Sequence, residues 1–138
     1  MRIEPLILCT NSNLCEYNVG AIREICSRLG LKTPLVMQSQ MTGPEVFGGK
    51  GSARLAAICG ELGGDTYLAG DGSDEYEDIA LYASRGITFT RSGFQMRAYP
   101  QPAEQFVGGL SVLDALFNVG PEETAKLLLA PKACLRES

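Results

Sequence analysis

The sequence predicts an α/β protein, a three-layer α/β/α domain with a mainly parallel sheet. Three observations lead to this fold class: strand and helix patterns alternate, short connections join them, and glycines follow the helical stretches. The length of 138 residues fits a single domain over residues 1–138. A hydrophobic content of 45% and a charged content of 20% are typical of a globular chain.

The first predicted elements are a helix and a strand. Apolar residues recur at helical spacing over residues 18–29, and Gly30 suits the position just past a helix end. The apolar run at residues 34–37 then predicts a strand buried on both faces, as in a parallel sheet. Residues 41–51 are rich in Gly and Pro, which predicts a loop.

The middle of the chain repeats this alternation twice, which is the Rossmann-like order of elements. A helix is predicted from Ser52 to Gly63, a strand over residues 65–70, a helix that ends at Gly86 and a strand over residues 87–90. The inner helix faces are predicted to carry Leu55, Ile58, Cys59 and Leu62 in the first helix, and Tyr76, Ile79, Ala80 and Ala83 in the second.

The last third of the chain begins with a weak pattern. Residues 91–109 predict a long loop or a ragged strand. Ser111, with Asp114 three residues later, resembles a capping box and starts a short helix. Gly120 then separates this helix from a last one, which has Pro121 at its first position.

Composition excludes several classes of function. A net charge of −4 argues against general nucleic-acid binding, and no apolar run has the length of a membrane span. The chain has no histidine, so it cannot build a Ser-His-Asp triad by itself, and it lacks the commonest zinc ligand. We predict no metal site, and the sequence identifies no cofactor.

Location is predicted from the apolar stretch at residues 5–9 and from the cysteines. The stretch is too short for a secretory signal, so we interpret the chain as unexported and cytoplasmic. The odd number of cysteines, five, and the absence of a CxxC pair favour buried, reduced thiols.

Three segments are candidates for a binding site, because ligands of parallel α/β sheets bind beyond the carboxyl ends of the strands. These are residues 39–52, residues 70–73 and the segment after Thr90. The glycines at residues 48–51 match neither the phosphate-loop template nor the dinucleotide template. Ser52 could still hold an anion at a helix start beside Lys50 and Arg54. The alternative is an ordinary N-cap with solvated cations.

Other polar groups also allow two interpretations. An acidic cluster of Asp71, Asp74, Glu75, Glu77 and Asp78 could hold a metal, but its spacing misses the calcium-loop pattern and favours a solvated helix start. Tyr99 and Gln101 could contact a ligand, or Tyr99 could pack the loop onto the sheet. Asp114 is interpreted as a capping residue.

Several ordered motifs resemble the WbqC-like protein family. They are the stretch "GSARLAAICGELGGDTYLAGDGSDEY", the strand and Tyr-x-Gln element in "ITFTRSGFQMRAYPQ", and the ending "FVGGLSVLDALFNVGPEE". Upstream, "NVGAIREICSRLGLKTPLVMQSQ" is similar to the family's helix, strand and Ser element. The resemblance covers residues 18–129.

The resemblance implies a cytoplasmic bacterial protein that transfers a glycyl or other aminoacyl group, or a sugar, in surface polysaccharide biosynthesis. The match of the Ser52 loop to a family motif also strengthens the expectation of a small anionic or phosphorylated ligand there. The family's recurring polar positions fall on Ser39, Lys50, Ser52, Arg54, Gly70, Tyr76, Tyr99, Gln101, Ser111 and Asp114. Gly51 joins the predicted ligand-binding set as part of the same loop.

Two departures from the family support an alternative. The His-Gln-Pro segment of the family is absent, and Ser-Thr-Glu-Arg is replaced here by residues 51–54, Gly-Ser-Ala-Arg. We therefore expect either the C-terminal part of such a protein or a half-length relative. The alternative is a non-catalytic protein that binds a small ligand or assembles with itself, so we expect a homo-oligomer in which a second copy covers an exposed face.

Overall fold

In a computed structural model the chain divides into two compact units, Met1–Leu35 with Met96–Ala130, and Val36–Gln95 with Pro131–Ser138. The structure describes Leu8, Thr10, residues 12–71 and 77–129, and the backbone of residues 136–137. The structure contains helices as well as a parallel strand pair, so the mixed α/β class is confirmed. The single domain and the three-layer arrangement stay predictions.

The described residues of the first unit form two long helices. Helix α1 spans Leu14–Arg28, and the Asn13 side chain caps it by accepting hydrogen bonds from the backbone amides of Cys15 and Glu16. At its other end, Gly30 takes a φ of +68°, which a residue with a side chain adopts only under strain. This conformation allows the Leu31 amide to donate to the Cys26 carbonyl at 2.9 Å, which closes the helix.

The second long helix, α5, spans Val112–Leu128 and bends at Gly120, where φ is 79°. Ser111 caps its start by accepting from the Leu113 amide, as the sequence predicted. Pro121 follows the bend, because proline fits the first turn of a new helical segment. The two predicted helices are therefore present as one helix with a kink.

In the part of the second unit that the structure describes there are three α-helices and a small sheet. The helices are α2 (Pro44–Gly48), α3 (Gly51–Glu61) and α4 (Ile79–Ser84), and the strands are β1 (Thr66–Ala69), β2 (Thr88–Arg91) and β3 (Arg136–Glu137). Strands β1 and β2 pair in parallel, with Thr66 opposite Thr88 and Ala69 opposite Arg91. The backbone of β3 pairs antiparallel with β2. The strands predicted near residues 65–70 and 87–90 are confirmed.

The core of this unit lies between the strand pair and the helices. Its buried members are Ala56, Ala69, Tyr82, Ile87 and Phe89. The Tyr82 ring stacks on the Tyr67 ring with centroids 4.9 Å apart, and both rings contact Phe89. Such aromatic pairs contribute about 0.5–1.5 kcal/mol each beyond their buried area.

The prediction of a strand at residues 34–37 is wrong. The structure has an irregular segment there, followed by a 3-10 helix at Gln38–Gln40. Leu35 is 42% exposed and Val36 is 54% exposed, so the run is not buried on both faces. A strand needs a neighbouring strand to complete its hydrogen bonds, and none of the described strands pairs with this run.

The predicted inner faces of two helices are also corrected. In α4, Ile79, Ala80 and Ala83 are exposed and Tyr82 is the buried residue. In α3, Leu55 and Cys59 pack against the core as predicted, but Leu62 lies just past the end of the helix and is 54% exposed. Helix α4 has six residues, too few for apolar spacing to decide which face turns inward. Tyr76 lies outside the described residues.

The glycines predicted to end helices are confirmed. Gly63 and Gly86 follow α3 and α4 with φ values of +70° and +72°. Among the helices that the structure describes, none is long and apolar enough to cross a membrane.

Candidate functional site

Two glycines of the loop between α2 and α3 have different structural reasons, a backbone conformation for Gly51 and close packing for Gly49. Gly51 takes a φ of +50° at the start of α3. A Cβ on Gly49 would lie 2.5 Å from the Glu45 carbonyl oxygen and 3.1 Å from the Arg54 backbone nitrogen. Because these neighbours are backbone atoms, they cannot rotate away. Gly49 therefore allows α2 and α3 to meet closely, and Gly51 allows the positive φ at the start of α3.

Arg54 and Glu61 of α3 hold the two ends of helix α2. The Arg54 guanidinium donates to the Gly49 carbonyl at 2.7 Å and to the Phe47 carbonyl at 3.3 Å. The Glu61 carboxylate accepts from the backbone amides of Thr42 and Gly43 at 2.8 and 2.9 Å. A cation at the carboxyl end of a helix and an anion at its amino end are both favourable.

Lys50 and Ser39 are both exposed. Lys50 occupies the N-cap position of α3 without a capping side-chain bond, and its ammonium has no partner among the described residues. Ser39 lies in the 3-10 helix. The anion-binding role of this segment stays a prediction. Lys50 and Ser39 are open to solvent, whereas the Arg54 guanidinium is bound to carbonyls.

Ser52 is buried and joins a network of hydroxyls around the Glu77 carboxylate. The Ser52 hydroxyl donates to Glu77 Oε2 at 2.7 Å and accepts from the Asp78 amide at 2.8 Å. The Tyr82 hydroxyl donates to the same Glu77 oxygen at 2.8 Å. Burial first, and then the hydrogen bond and charge of Glu77, raise the pKa of Tyr82. The network ties α3 to the start of α4.

Glu77 is a residue that the sequence interpretation missed. The acidic cluster was expected on a solvated face, but Glu77 is half-buried and hydrogen-bonded to Ser52 and Tyr82. Burial first, and then the Glu77 charge, also raise the pKa of Tyr67. Spacing alone could not reveal this partner, because Ser52 lies 25 residues away in the chain. Asp74 and Glu75 lie outside the described residues.

A small crevice lies at the carboxyl ends of β1 and β2, where the sequence predicted a site. Its volume is about 170 Å³, and it is lined by Asp71, Arg91, Gly93, Phe94 and Gln95. The Gly93 amide donates to Asp71 Oδ1 at 3.1 Å, so the segments after the two strands meet. Gly70, which was predicted to bind ligand, is exposed beside Asp71, and a Cβ on it would meet nothing within 4 Å.

In the first unit, Tyr99 and Gln101 converge on Asp114; we call these residues the Asp114 cluster. The Tyr99 hydroxyl donates to Asp114 Oδ2 at 2.8 Å, and the Gln101 side-chain amide donates to the same oxygen at 2.9 Å. All three residues are half-buried. The hydrogen bond to the Asp114 carboxylate raises the pKa of Tyr99 above its usual range. Ser111 lies at the start of the helix that carries Asp114.

The loop around the Asp114 cluster is fixed by Gln101 and by two aromatic rings. The Gln101 side chain accepts from the Val107 amide at 2.8 Å and donates to the Val107 carbonyl at 3.1 Å. The Tyr99 and Phe106 rings meet edge to face with centroids 5.2 Å apart. The Tyr99 ring therefore packs against its own loop, while its hydroxyl binds Asp114, and contact of Tyr99 with a ligand stays a prediction.

One oxygen of the cluster is available for a further hydrogen bond. The side-chain contacts of Asp114 with Tyr99 and Gln101 both use Oδ2, and within the described residues Oδ1 accepts no hydrogen bond. A half-buried carboxylate oriented by two donors offers its second oxygen to a hydroxyl or an amine. Asp114 was interpreted as a capping residue, and the missed feature is its contact with the Tyr-x-Gln element.

Comparison with known proteins agrees with the motifs noted in the sequence. The profile of the WbqC-like protein family matches residues 2–126. The chain is 32% identical over 113 residues to a protein of Mycobacterium tuberculosis named "Uncharacterized protein Rv1507c". That alignment covers 81% of this chain and 47% of the relative, so the chain spans about half of the relative's length. No solved structure matches the chain. On the extent of these matches, the chain belongs to the WbqC-like protein family.

Proposed function

We propose that the chain binds a sugar, or an aminoacyl compound of a sugar, through the Asp114 cluster. In this proposal it acts as a group transferase, or as the ligand-binding half of one, in surface polysaccharide biosynthesis. The observation that carries the proposal is the orientation of the Asp114 carboxylate by Tyr99 and Gln101 through Oδ2, while Oδ1 accepts no hydrogen bond from the described residues.

The chemistry of the cluster suits a polyhydroxylated ligand. Asp114 Oδ1 is an acceptor for a ligand hydroxyl or amine, and Phe106 beside Tyr99 is 39% exposed, so it offers an apolar surface. Polar groups fix the orientation of small ligands, while aromatic surface supplies burial. The contribution to transfer would be positioning of the acceptor hydroxyl or amine, since aligned groups lower the barrier by pre-organisation.

The free cysteines fit the proposed location in the cytoplasm. Cys15, Cys26 and Cys59 are free thiols in the described part of the chain, although Cys15 is exposed and not buried as predicted. Thiols stay reduced in that compartment, where activated sugars and aminoacyl compounds would be the substrates.

A thermal-shift screen tests the proposal. Free sugars, nucleotide sugars and aminoacyl-adenylate mimics are added to the parent chain, to Asp114→Asn and to Glu123→Gln, a carboxylate change on the exposed part of the same helix. A ligand at about one hundred times its Kd stabilises the folded state by about 2.7 kcal/mol. We expect a sugar-bearing ligand to raise the Tm of the parent and of Glu123→Gln, and to lose this effect in Asp114→Asn.

Two results would contradict the proposal. One is a panel in which no sugar-bearing or aminoacyl compound raises the Tm of the parent. The other is an equal rise in the parent and in Asp114→Asn, which would place the ligand elsewhere.

A second candidate is a non-catalytic protein that assembles with itself, and the sheet favours it. In the described residues β1 has a strand on one side, and Leu68 on this strand is 58% exposed. An open strand edge beside an apolar side chain is a template for pairing with a second copy. Ser52 and Arg54 are hydrogen-bonded to groups of the chain itself. This also agrees with a protein that keeps the fold of the family and has lost its catalytic activity.

Sedimentation of the parent and of Leu68→Lys separates this candidate from the first. The assembly version predicts a dimer for the parent and a monomer for Leu68→Lys, because a charge on an open edge opposes pairing. A parent that is monomeric at about 100 μM, well above the Kd of a stable dimer, would contradict self-assembly.

A further inference from the structure

An open groove at the carboxyl end of α1 belongs to none of the sites predicted from the sequence. Its volume is about 320 Å³. It is lined by Arg23, Cys26 and Ser27 of the helix and by Leu31, Lys32 and Thr33 of the segment that follows.

The end of the helix brings these two rows of residues together. Arg23 and Ser27 are four positions apart, so they share one face of α1. The turn at Gly30 and the hydrogen bond from the Leu31 amide to the Cys26 carbonyl reverse the chain. As a result, Lys32 and Thr33 follow within the same groove as Arg23.

The polar groups of the groove suit an anion. Arg23 and Lys32 carry positive charges, Ser27 and Thr33 offer hydroxyl donors, and no lining residue is a carboxylate. Glu24, the nearest acidic neighbour of Arg23 in the chain, is bound by Arg28 at 2.6 Å. Within the described residues, neither Arg23 nor Lys32 has an ion-pair partner.

The carboxyl end of α1 opposes an anion only in part. A helix end carries roughly half a negative charge, which is smaller than two full positive charges. In addition, the amides of Gly30 and Leu31 already donate to the carbonyls of Ser27 and Cys26. The local balance in the groove is therefore positive, although the whole chain has a net charge of −4.

We propose that this groove binds the phosphate groups of a small, freely diffusing organic phosphate. Its volume is at the lower end of the roughly 300–1,000 Å³ of small-molecule sites, which fits a compact ligand. The proposal does not depend on the sugar site at Asp114, because it uses other residues and a different ligand chemistry.

Titration with inorganic diphosphate tests the groove. Isothermal calorimetry is run on the parent chain, on Arg23→Gln, on Lys32→Gln and on Arg97→Gln, a matched change at an exposed arginine outside the groove. We expect each groove variant to weaken diphosphate binding about tenfold, as expected for the loss of one hydrogen bond to a charged group, and Arg97→Gln to leave it unchanged. Asp114→Asn should also bind diphosphate as the parent does.

Three outcomes would overturn the proposal. They are no binding of diphosphate by the parent, an equal loss in Arg97→Gln, and a loss in Lys50→Gln in place of the groove variants. A further arm uses phosphatidylglycerol vesicles, which present phosphate on a membrane surface. Binding to the vesicles without binding of free diphosphate would exclude a diffusing ligand.

Discussion

At the scale of single residues, the structure explains why a glycine is required at position 49 of the glycine-rich loop. A Cβ at this position would lie 2.5 Å from the Glu45 carbonyl oxygen, whereas a Cβ on Gly48 would meet nothing within 4 Å. The two neighbouring glycines therefore have different roles in the same loop. One is required for the contact between α2 and α3, and the other is the last residue of α2.

The matched substitutions Gly49→Ala and Gly48→Ala test this difference. We expect Gly49→Ala to lower the free energy of unfolding by about 1–3 kcal/mol, because backbone atoms must move to admit the methyl group. Gly48→Ala should change it by about 0–1 kcal/mol in the stabilising direction, since alanine restricts the unfolded chain. Urea unfolding of both variants measures the difference, and equal effects would refute the packing role of Gly49.

At the scale of elements, helix α2 is held by charges from α3. The helix has five residues, which is too short to be stable by itself. Glu61 binds two amides before its start, and Arg54 binds two carbonyls at its end. The helix therefore exists because its neighbour satisfies the backbone groups that a short helix leaves open.

Removing the Glu61 carboxylate should loosen the start of α2. We expect Glu61→Ala to cost about 1–2 kcal/mol, similar to the loss of a capping side chain. Hydrogen exchange locates the effect, because the amides of Thr42 and Gly43 lose their acceptor. Glu123→Ala, which removes an exposed carboxylate paired with Lys126, is the control and should change stability by about 0.5 kcal/mol or less. Unchanged protection of Thr42 and Gly43 in Glu61→Ala would contradict the capping role.

Local patterns predicted the elements whose causes are local. Glycine after α1, α3 and α4, and serine before α5, act through backbone hydrogen bonds within a few residues. The strand expected at residues 34–37 failed because a strand also requires a partner, which an apolar run cannot specify.

The candidate site follows the same division between local and distant causes. Tyr99 and Gln101 were predicted as ligand contacts, but their common partner Asp114 lies 15 and 13 residues further along the chain. Glu77 was missed because its partner Ser52 comes from another helix. Contacts between distant segments depend on how the elements pack. The spacing of residues within one segment cannot predict that packing.

At the scale of the whole molecule, we expect three tyrosines to lower the stability of the chain at high pH. The pKa values of Tyr67, Tyr82 and Tyr99 are all raised above their usual value of 10.0. Below this pH the phenols are neutral in both the folded and the unfolded chain. As pH rises above it, the unfolded chain releases protons that the folded chain retains, so the free energy of unfolding falls.

Tyr82→Phe should reduce this alkaline loss of stability. Above about pH 10, the free energy of unfolding should fall less steeply with pH than in the parent. The slope should be smaller by up to about 1.4 kcal/mol per pH unit, which is the effect of one retained proton. Urea unfolding between about pH 9 and pH 12 measures the slope. Tyr17→Phe removes a hydroxyl that has no hydrogen-bond partner among the described residues, and it serves as the control. A slope for Tyr82→Phe equal to that of the parent would exclude Tyr82 as a source of the alkaline loss.

The central claim is that a sugar or aminoacyl-sugar ligand reaches the open oxygen of Asp114. The side-chain amide of Gln101 reports on this event, because it donates to the same carboxylate at 2.9 Å. A nuclear magnetic resonance titration with a sugar-bearing ligand that stabilises the chain should shift the Gln101 side-chain amide signal, and Asp114→Asn should weaken the Kd about tenfold. Binding that leaves both this signal and the affinity of Asp114→Asn unchanged would contradict the claim.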